Sequence, residues 1–318
     1  MSYAGPNVRL AACILAAGAS GNASVLQAQG FVDDWIRSFA DSEIVFTRSS
    51  SNAPFPPLAF ASASHYGDTE VRLADGRVVT YNQNAISQAA VVPFLVTPRD
   101  ALFIGEWLSW TEFESRESGF DSFDVVTVGL PMGWFRQVND RWQTGAFIMP
   151  LGHKADLAGA DWSWETLGGV FGRYVMRDDL WWGLGFYFDV GPGDDVYLPY
   201  LGASWEIDER WTLSAVMPWP AVVYAPDTDT LLRVGATPSG ASWSLRPGSS
   251  RVSFTLDSWD FGFSAERRVH GNFWVGAEAG IGGLRGLHVT EGNLDLPEFD
   301  IGRSPYVNLS INFRPSLR

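Results

Sequence analysis

The stretch Leu180-Trp181-Trp182-Gly183-Leu184-Gly185-Phe186-Tyr187-Phe188-Asp189-Val190 decides the fold. Leu180, Trp182, Leu184, Phe186, Phe188 and Val190 make one fully apolar face. Trp181, Gly183, Gly185, Tyr187 and Asp189 make the other, which is small, aromatic or acidic. Successive side chains of a strand point to opposite faces, so this period of two is a strand with one greasy side. The same pattern runs through Trp211-Thr-Leu-Ser-Ala-Val-Met217, Phe273 to Gly282 and Tyr306 to Phe313. From Leu58 onward the chain is a succession of such segments, and no second helical region of useful length interrupts them. In residues 86–97 and 102–111 both faces are apolar. In residues 252–266 the phase slips: Val252, Phe254 and Leu256 give way to Trp259, Phe261 and Phe263. A β-bulge near Asp257-Ser258 would restore one apolar face.

The connections alternate in length. Short polar turns fall at Pro98–Asp100, Val138–Asp140, Arg177–Asp179, Asp208–Arg210, Pro226–Asp229 and Arg268–Gly271. Longer Gly- and Asp-rich connections fall at 113–121, 152–162, 190–195 and 284–303. Short turns at one end and long loops at the other describe a transmembrane β-barrel. Six down-up pairs with a first and a last strand predict fourteen strands, or twelve if 210–225 is a lesser excursion; either number is even. Trp134, Trp142, Trp181, Trp182, Trp205, Trp211 and Trp274 cluster around the short turns, as an interfacial aromatic girdle would. Trp110, Trp162, Trp164 and Trp243 sit near the longer connections. The predicted fold is therefore all-β: a closed antiparallel up-and-down transmembrane β-barrel of about 12–14 strands.

Composition agrees. The 318 residues are 46% hydrophobic, 14% aromatic and only 18% charged. Mean hydropathy is −0.02, which excludes a bundle of apolar helical spans. The net charge of −14 and the single lysine, Lys154, argue against a nucleic-acid partner.

Residues 1–28 read as a secretory signal: Arg9 precedes the apolar run Leu10 to Ala19, and small residues follow up to Leu26-Gln27-Ala28. Its removal takes away Cys13, the only cysteine, so no disulfide or Cys-based metal site remains. Residues 29–56 divide into a short helix and a linker. Phe31, Trp35 and Phe39 recur every four residues. Residues 48–57 are a linker by composition. Residues 57–318 form the barrel.

Ser304-Pro-Tyr-Val-Asn-Leu-Ser-Ile-Asn-Phe313 resembles the last strand of bacterial outer-membrane barrels, with Leu309, Ile311 and the terminal aromatic Phe313 in the positions of an assembly signal. It departs from that pattern in the trailing Arg-Pro-Ser-Leu-Arg318 and in Asn308, where glycine is frequent. The segments Leu198-Pro-Tyr-Leu-Gly-Ala-Ser-Trp205, Trp211-Thr-Leu-Ser-Ala-Val-Met-Pro218 and Tyr224 resemble a porin-like family of uncharacterised bacterial outer-membrane β-barrels, a domain of unknown function. The resemblance implies a Gram-negative outer-membrane location. It implies lipid and lipopolysaccharide around the wall and the barrel-assembly machinery as a partner in biogenesis. It supplies no catalytic residues and implies no cofactor.

No nucleophile elbow, zinc helix or phosphate loop occurs; Gly280-Ile-Gly282-Gly283 belongs to an alternating strand. On the predicted inner faces lie Asp189, Glu206, Asp260, Glu278, Arg173 and Arg233. In a pore the acids would favour cations; in a narrow barrel they would pair with arginine. Asp194, Asp195, Glu291, Asp295, Glu298 and Asp300 are loop acids without the spacing of a calcium site. The functional expectation is a passive channel or solute-uptake barrel with an acidic lumen. One alternative is a lipid hydrolase or deacylase that places His65, His153 or His288 beside a serine at the outer rim, with His270 solvated in a short turn. The other is an exported soluble β-sandwich that binds carbohydrate.

Overall fold

A computed structural model describes residues 39, 42–44, 51–72, 77–115, 122–191, 195–216, 219–245, 252–291, 294–295 and 299–315. The signal segment, Cys13 and most of the N-terminal helix lie outside the described residues. Side chains of residues 240–243, 245, 255, 257 and 283–300, and with them His288 and most of the loop acids, also lie outside the description.

Fourteen strands follow one another as antiparallel neighbours: β1 Ala59–Arg72, β2 Val78–Thr97, β3 Asp100–Ser115, β4 Phe123–Gly129 with Met132–Gln137, β5 Trp142–Ala155, β6 Ser163–Arg177, β7 Leu180–Val190, β8 Val196–Glu206, β9 Trp211–Ser214, β10 Ala221–Asp227, β11 Thr230–Leu245, β12 Val252–His270, β13 Phe273–Glu291 and β14 Ser304–Phe313. The ring closes where β1 pairs with β14, in register from Ala59↔Phe313 to Tyr66↔Tyr306. Closure leaves no edge at this seam and no second sheet to pack against, so the sandwich reading is excluded. All six expected short turns join strands at one end. Both Ala59 and Phe313 stand at that end, as an even strand number requires.

β4 is one strand in two pieces. Leu130 and Pro131 interrupt its ladder, but the register with β3 and β5 runs through unchanged. Proline has no N–H to give, so the interruption is chemical and leaves the strand's course intact. The phase slip in β12 has a different cause from the one expected. β12 keeps unbroken register with β11, and its irregularity faces β13 between Ser258 and Asp260. Three steps of β13 there span two steps of β12, so β13 carries the extra residue. The apolar residues do change face: Leu256 is buried inside the barrel, whereas Phe261 and Phe263 are exposed outside.

The outer surface is apolar over most of its height, interrupted on β2 and β3 where the outward Gln88 donates to Glu106 at 3.2 Å. Leu102, Ile104, Val170, Leu184, Val234, Val275, Leu309 and Ile311 all project outward and are exposed. At the short-turn end the belt is edged with aromatic residues. Trp142 packs against Tyr174 and Trp211 against Tyr224, with ring centroids 4.9 Å and 4.5 Å apart. Trp134 donates its indole N–H to Asp100 (3.1 Å) and Trp205 to Asp179 (3.3 Å). An apolar ring with its polar atom tied to a turn carboxylate suits the membrane interface. Arg177 also donates to Asp179 and holds that carboxyl below the usual carboxylate range. Trp182 completes this outward set. Two of the expected girdle residues are corrected. Trp181 faces inward beneath the guanidinium of Arg173, 4.7 Å from the ring centroid. Trp274 is 2% exposed, packed inside with Ala225 and Leu231. Both sit one residue out of phase with the lipid face, and distance from a turn does not reveal that.

Candidate functional site

The interior has two unlike walls. On β1 to β6 the inward positions are largely apolar: Phe60, Val91, Phe103, Trp107, Phe135, Phe147, Met149, Leu167 and Phe171. This explains the two-faced apolar segments 86–97 and 102–111: one face meets lipid and the other meets the interior. Glycines let the rings lie flat along this wall. The Phe103 ring covers Gly133, and a Cβ added at Gly145 would lie 2.5 Å from the Phe171 ring. Phe60 and Trp107 meet edge to face across β2, with centroids 5.7 Å apart.

The opposite wall, β12 to β14 with β1, is polar and internally bonded. Tyr66 and Tyr306 stack, with centroids 5.3 Å apart. Tyr66 donates its hydroxyl proton to Asp260 and Tyr306 to Glu278, each at 2.5 Å. Ser258 donates to the other oxygen of Asp260 at 3.4 Å. A carboxylate held by phenol donors in this way is a fixed part of the wall.

The six candidate lumen residues all occupy inward positions, but the fold does not gather them. Asp260 and Glu278 join the tyrosine cluster. Glu206 is buried near the short-turn end, where its backbone N–H donates to Asp179. Asp189 stands toward the long-loop end and accepts from Tyr187 at 3.3 Å. Arg173 donates to Gln143 at 3.0 Å, and Gln143 donates to Gln137 at 2.7 Å. Arg233 donates to the carbonyl of Ala236 at 3.0 Å. Sequence reading missed Tyr66 and Tyr306 because tyrosine in a strand is unremarkable until its partner is known: Asp260 stands on β12, three strands from Tyr66, and Glu278 on β13, beside Tyr306.

Apolar side chains pack together in the interior toward the long-loop end. Phe113, Val125, Ala155, Leu256 and Ile301 form one buried cluster, with Val71, Tyr81 and Leu157 against it. Just below, His153 is buried on β5, 2.9 Å from Thr127 Oγ1 at Nδ1 and 3.2 Å from Glu165 Oε1 at Nε2. The hydrolase reading expects His65 at the loop-side end of the first strand and His153 and His288 in or near long loops. His65 instead lies within β1 and meets Asn84 at 2.8 Å, and the backbone of His288 belongs to β13. These histidines are therefore not loop residues, although His270 does end β12 at a short turn.

Residues 43–44 and 51–58, which precede β1, meet the short-turn end. The N–H of Glu43 donates to Pro98 O at 2.8 Å, and the N–H of Asn52 to Glu209 O at 2.6 Å. Ala53 packs on the Trp274 cluster. Phe55 O accepts from Arg314 (2.7 Å), and the N–H of Leu58 donates to Phe313 O (2.9 Å). Residues 51–58 thus lean successively on the β8–β9 turn, β10 and the end of β14.

No protein-family model matches the sequence, and no curated protein does. Among solved structures, the chain is similar to the toluene transporter TodX of Pseudomonas putida, at 11% identity over 86% of this chain and 93% of that one, TM-score 0.43. It is similar to a Pseudomonas aeruginosa FadL homologue, at 12% identity over 80% and 90%, TM-score 0.39. It is also similar to the toluene transporter TbuX of Ralstonia pickettii, at 10% identity over 84% and 93%, TM-score 0.36. At such identities and scores the likeness adds nothing to the strand pairing. The resemblance to one uncharacterised family holds only at the level of porin-like barrels. A closed ring of fourteen antiparallel strands with an apolar belt and an aromatic rim is a transmembrane β-barrel, and this chain is one.

Proposed function

We propose that the barrel passes small, predominantly apolar molecules across the outer membrane. The apolar wall of β1 to β6 supports this reading above all else. An inner face carrying Phe60, Phe103, Trp107, Phe135, Phe147 and Phe171 has no use in a pore for hydrated ions, whose lining is polar. The polar wall opposite offers hydroxyl and amide groups that can orient a solute. Binding sites of this mixed kind, mostly apolar with a few placed polar groups, suit small organic molecules.

The acids expected to make a cation pathway serve the other wall, where Asp260 and Glu278 are engaged by tyrosines. Cation conduction is the second reading, and it depends on Asp189 and Glu206 lining an aqueous path.

The test uses a Gram-negative host bearing lipopolysaccharide and lacking its own large porins. Uptake of the apolar fluorophore N-phenyl-1-naphthylamine is followed with and without the barrel. The barrel should accelerate uptake, and Phe103→Asp or Phe147→Asp should abolish the gain. Stepwise cation currents in planar bilayers, without accelerated fluorophore uptake, would favour the ionic reading instead.

A further inference from the structure

One row of the inner surface is polar, and it crosses the apolar wall. The strand registers set six inward residues side by side. Ser310 of β14 stands opposite Ser62 of β1, followed by Ser87 of β2, Ser109 of β3, Thr127 of β4 and His153 of β5. Each is the direct cross-strand neighbour of the next. Ser87 and Ser109 are bonded hydroxyl to hydroxyl at 2.9 Å, and Thr127 meets His153 at 2.9 Å. Asn312 donates to Ser310 at 3.2 Å. The four serines and Thr127 are half-buried, so their hydroxyls reach the interior space.

The row climbs. Ser310 stands three residues from the Phe313 end of β14, whereas His153 stands two residues from the Ala155 end of β5. Strands of such barrels tilt by about 35–45°, so a line drawn across them rises as it goes round. With strands about 4.8 Å apart, the five steps cover about 24 Å and rise about 15 Å. The row therefore runs obliquely from the short-turn end toward the long-loop end. The aromatic wall lies directly beneath it. Phe60 and Trp107, in contact with each other, hold the next inward positions below Ser62 and Ser109.

Polar atoms without partners flank the row. Gln83, on the inner face of β2, is 8% exposed, and its Oε1 has no hydrogen-bond partner among the described residues. The same holds for Oδ1 of Asn308, the next inward residue above Ser310 on β14. It holds also for Oγ of Ser163, wholly buried on β6 opposite His153. Two of these atoms are amide carbonyl oxygens, which only accept. A buried acceptor left unpaired is costly, and a donor brought by a passing molecule would relieve it.

We propose that this row is a hydroxyl track, along which the barrel carries uncharged hydrocarbon solutes that bear a hydroxyl group. The hydrocarbon body lies on the aromatic wall, and the solute's hydroxyl moves from one wall hydroxyl to the next. This rests on the apolar-transport reading and narrows its solute class to alcohols and phenols. Serine and threonine hydroxyls both give and accept hydrogen bonds, so each can take the solute's hydroxyl in turn. A wholly apolar passage would strip that hydroxyl of partners and penalise an alcohol against its hydrocarbon; the track removes the penalty. The carbonyl oxygens of Gln83 and Asn308 call for a donor, which an alcohol has and an ether lacks. The row holds no lysine or arginine, so a carboxylate finds no counter-charge in it.

The experiment uses the full-length barrel in the lipopolysaccharide-bearing host that lacks large porins. Uptake of radiolabelled 2-naphthalenemethanol is compared with that of 2-ethylnaphthalene, which carries a methyl group in place of the hydroxyl. The barrel should accelerate the alcohol severalfold more than the hydrocarbon. The triple variant Ser62→Ala, Ser87→Ala, Ser109→Ala removes the middle of the track. Taking both partners of the Ser87–Ser109 bond leaves neither stranded. This variant should bring the alcohol's acceleration down to that of the hydrocarbon, and Ser62→Ala alone should lower it by a smaller factor. Thr166→Val, on the outer face of β6, is the control and should keep the preference. A heat-dependent gel shift confirms that each variant has folded; if the triple variant does not fold, Ser62→Ala carries the test. A full alcohol preference in the folded variants would overturn the track, as would equal acceleration of both solutes by the unaltered barrel. In either case Phe103→Asp would still slow uptake, so the track alone would fall. No acceleration of either solute would defeat the transport reading itself.

Discussion

Arg314 and Glu266 face each other at 2.7 Å inside the short-turn end, their side chains 9% and 13% exposed. The guanidinium donates twice to Glu266 and once to the carbonyl of Phe55. It therefore ties β14 to β12 across β13, and it ties the segment before β1 to the floor of the barrel. Removing one partner of a buried pair strands the other. Arg314→Gln should cost about 3–5 kcal/mol, read as a lower urea midpoint in detergent. It should also raise ion conductance in planar bilayers, because residues 51–58 lose an anchor. Unchanged conductance with reduced stability would confine Arg314 to a structural role.

The flat rings of the apolar wall depend on glycine. Gly145→Val places a methyl-bearing carbon where the Phe171 ring lies. The ring must turn into the interior. Overpacking of this kind costs about 1–3 kcal/mol, and it should narrow the path. The expected result is slower fluorophore uptake by a barrel that still shows its heat-dependent gel shift. The same substitution at Gly271, with φ of +52° and open space around it, should leave uptake untouched and disturb only a turn.

The two kinds of tryptophan should separate cleanly. Trp274→Ala opens a hole against Ala225 and Leu231 and should destabilise by about 3–5 kcal/mol. Trp205→Ala removes an outward ring bonded to Asp179 and should cost much less. Brominated lipids should lose part of their quenching when Trp205 or Trp211 is removed, and none when Trp181 or Trp274 is removed. Equal effects for all four would contradict the inward placement.

Leu309 projects outward from β14 and is 64% exposed, whereas Ser62 of β1 faces inward. Arginine on the lipid face costs about 2–4 kcal/mol near the bilayer midplane. Leu309→Arg should therefore lower folding stability in liposomes by that order, and Ser62→Arg by clearly less. Reversal of that order would mean that the face assignment of the closing pair is inverted.

Much of this architecture was legible in the sequence, because lipid imposes a strict rule. One face of every strand must be apolar, so Leu180 to Val190 declares both its period and its surroundings. The turns were legible too, since Asp, Asn and Gly punctuate them. The interior was read less well. Inward positions obey no single rule: Trp274, Leu256 and Phe103 are apolar there, and Asp260 and Tyr306 are polar. A tryptophan beside a turn can face either way, which is why Trp181 and Trp274 were assigned to the girdle. The phase slip in β12 was visible, but its cause was apolar packing across the interior, which involves residues as distant as Val125 and Ile301.

The most direct measurement is uptake of N-phenyl-1-naphthylamine by lipopolysaccharide-bearing cells, alongside single-barrel current in planar bilayers. An apolar conduit predicts accelerated uptake that Phe103→Asp and Phe147→Asp abolish, with little ionic current at rest. Large, steady cation currents that fall on Asp189→Asn, together with uptake no faster than in cells without the barrel, would contradict it.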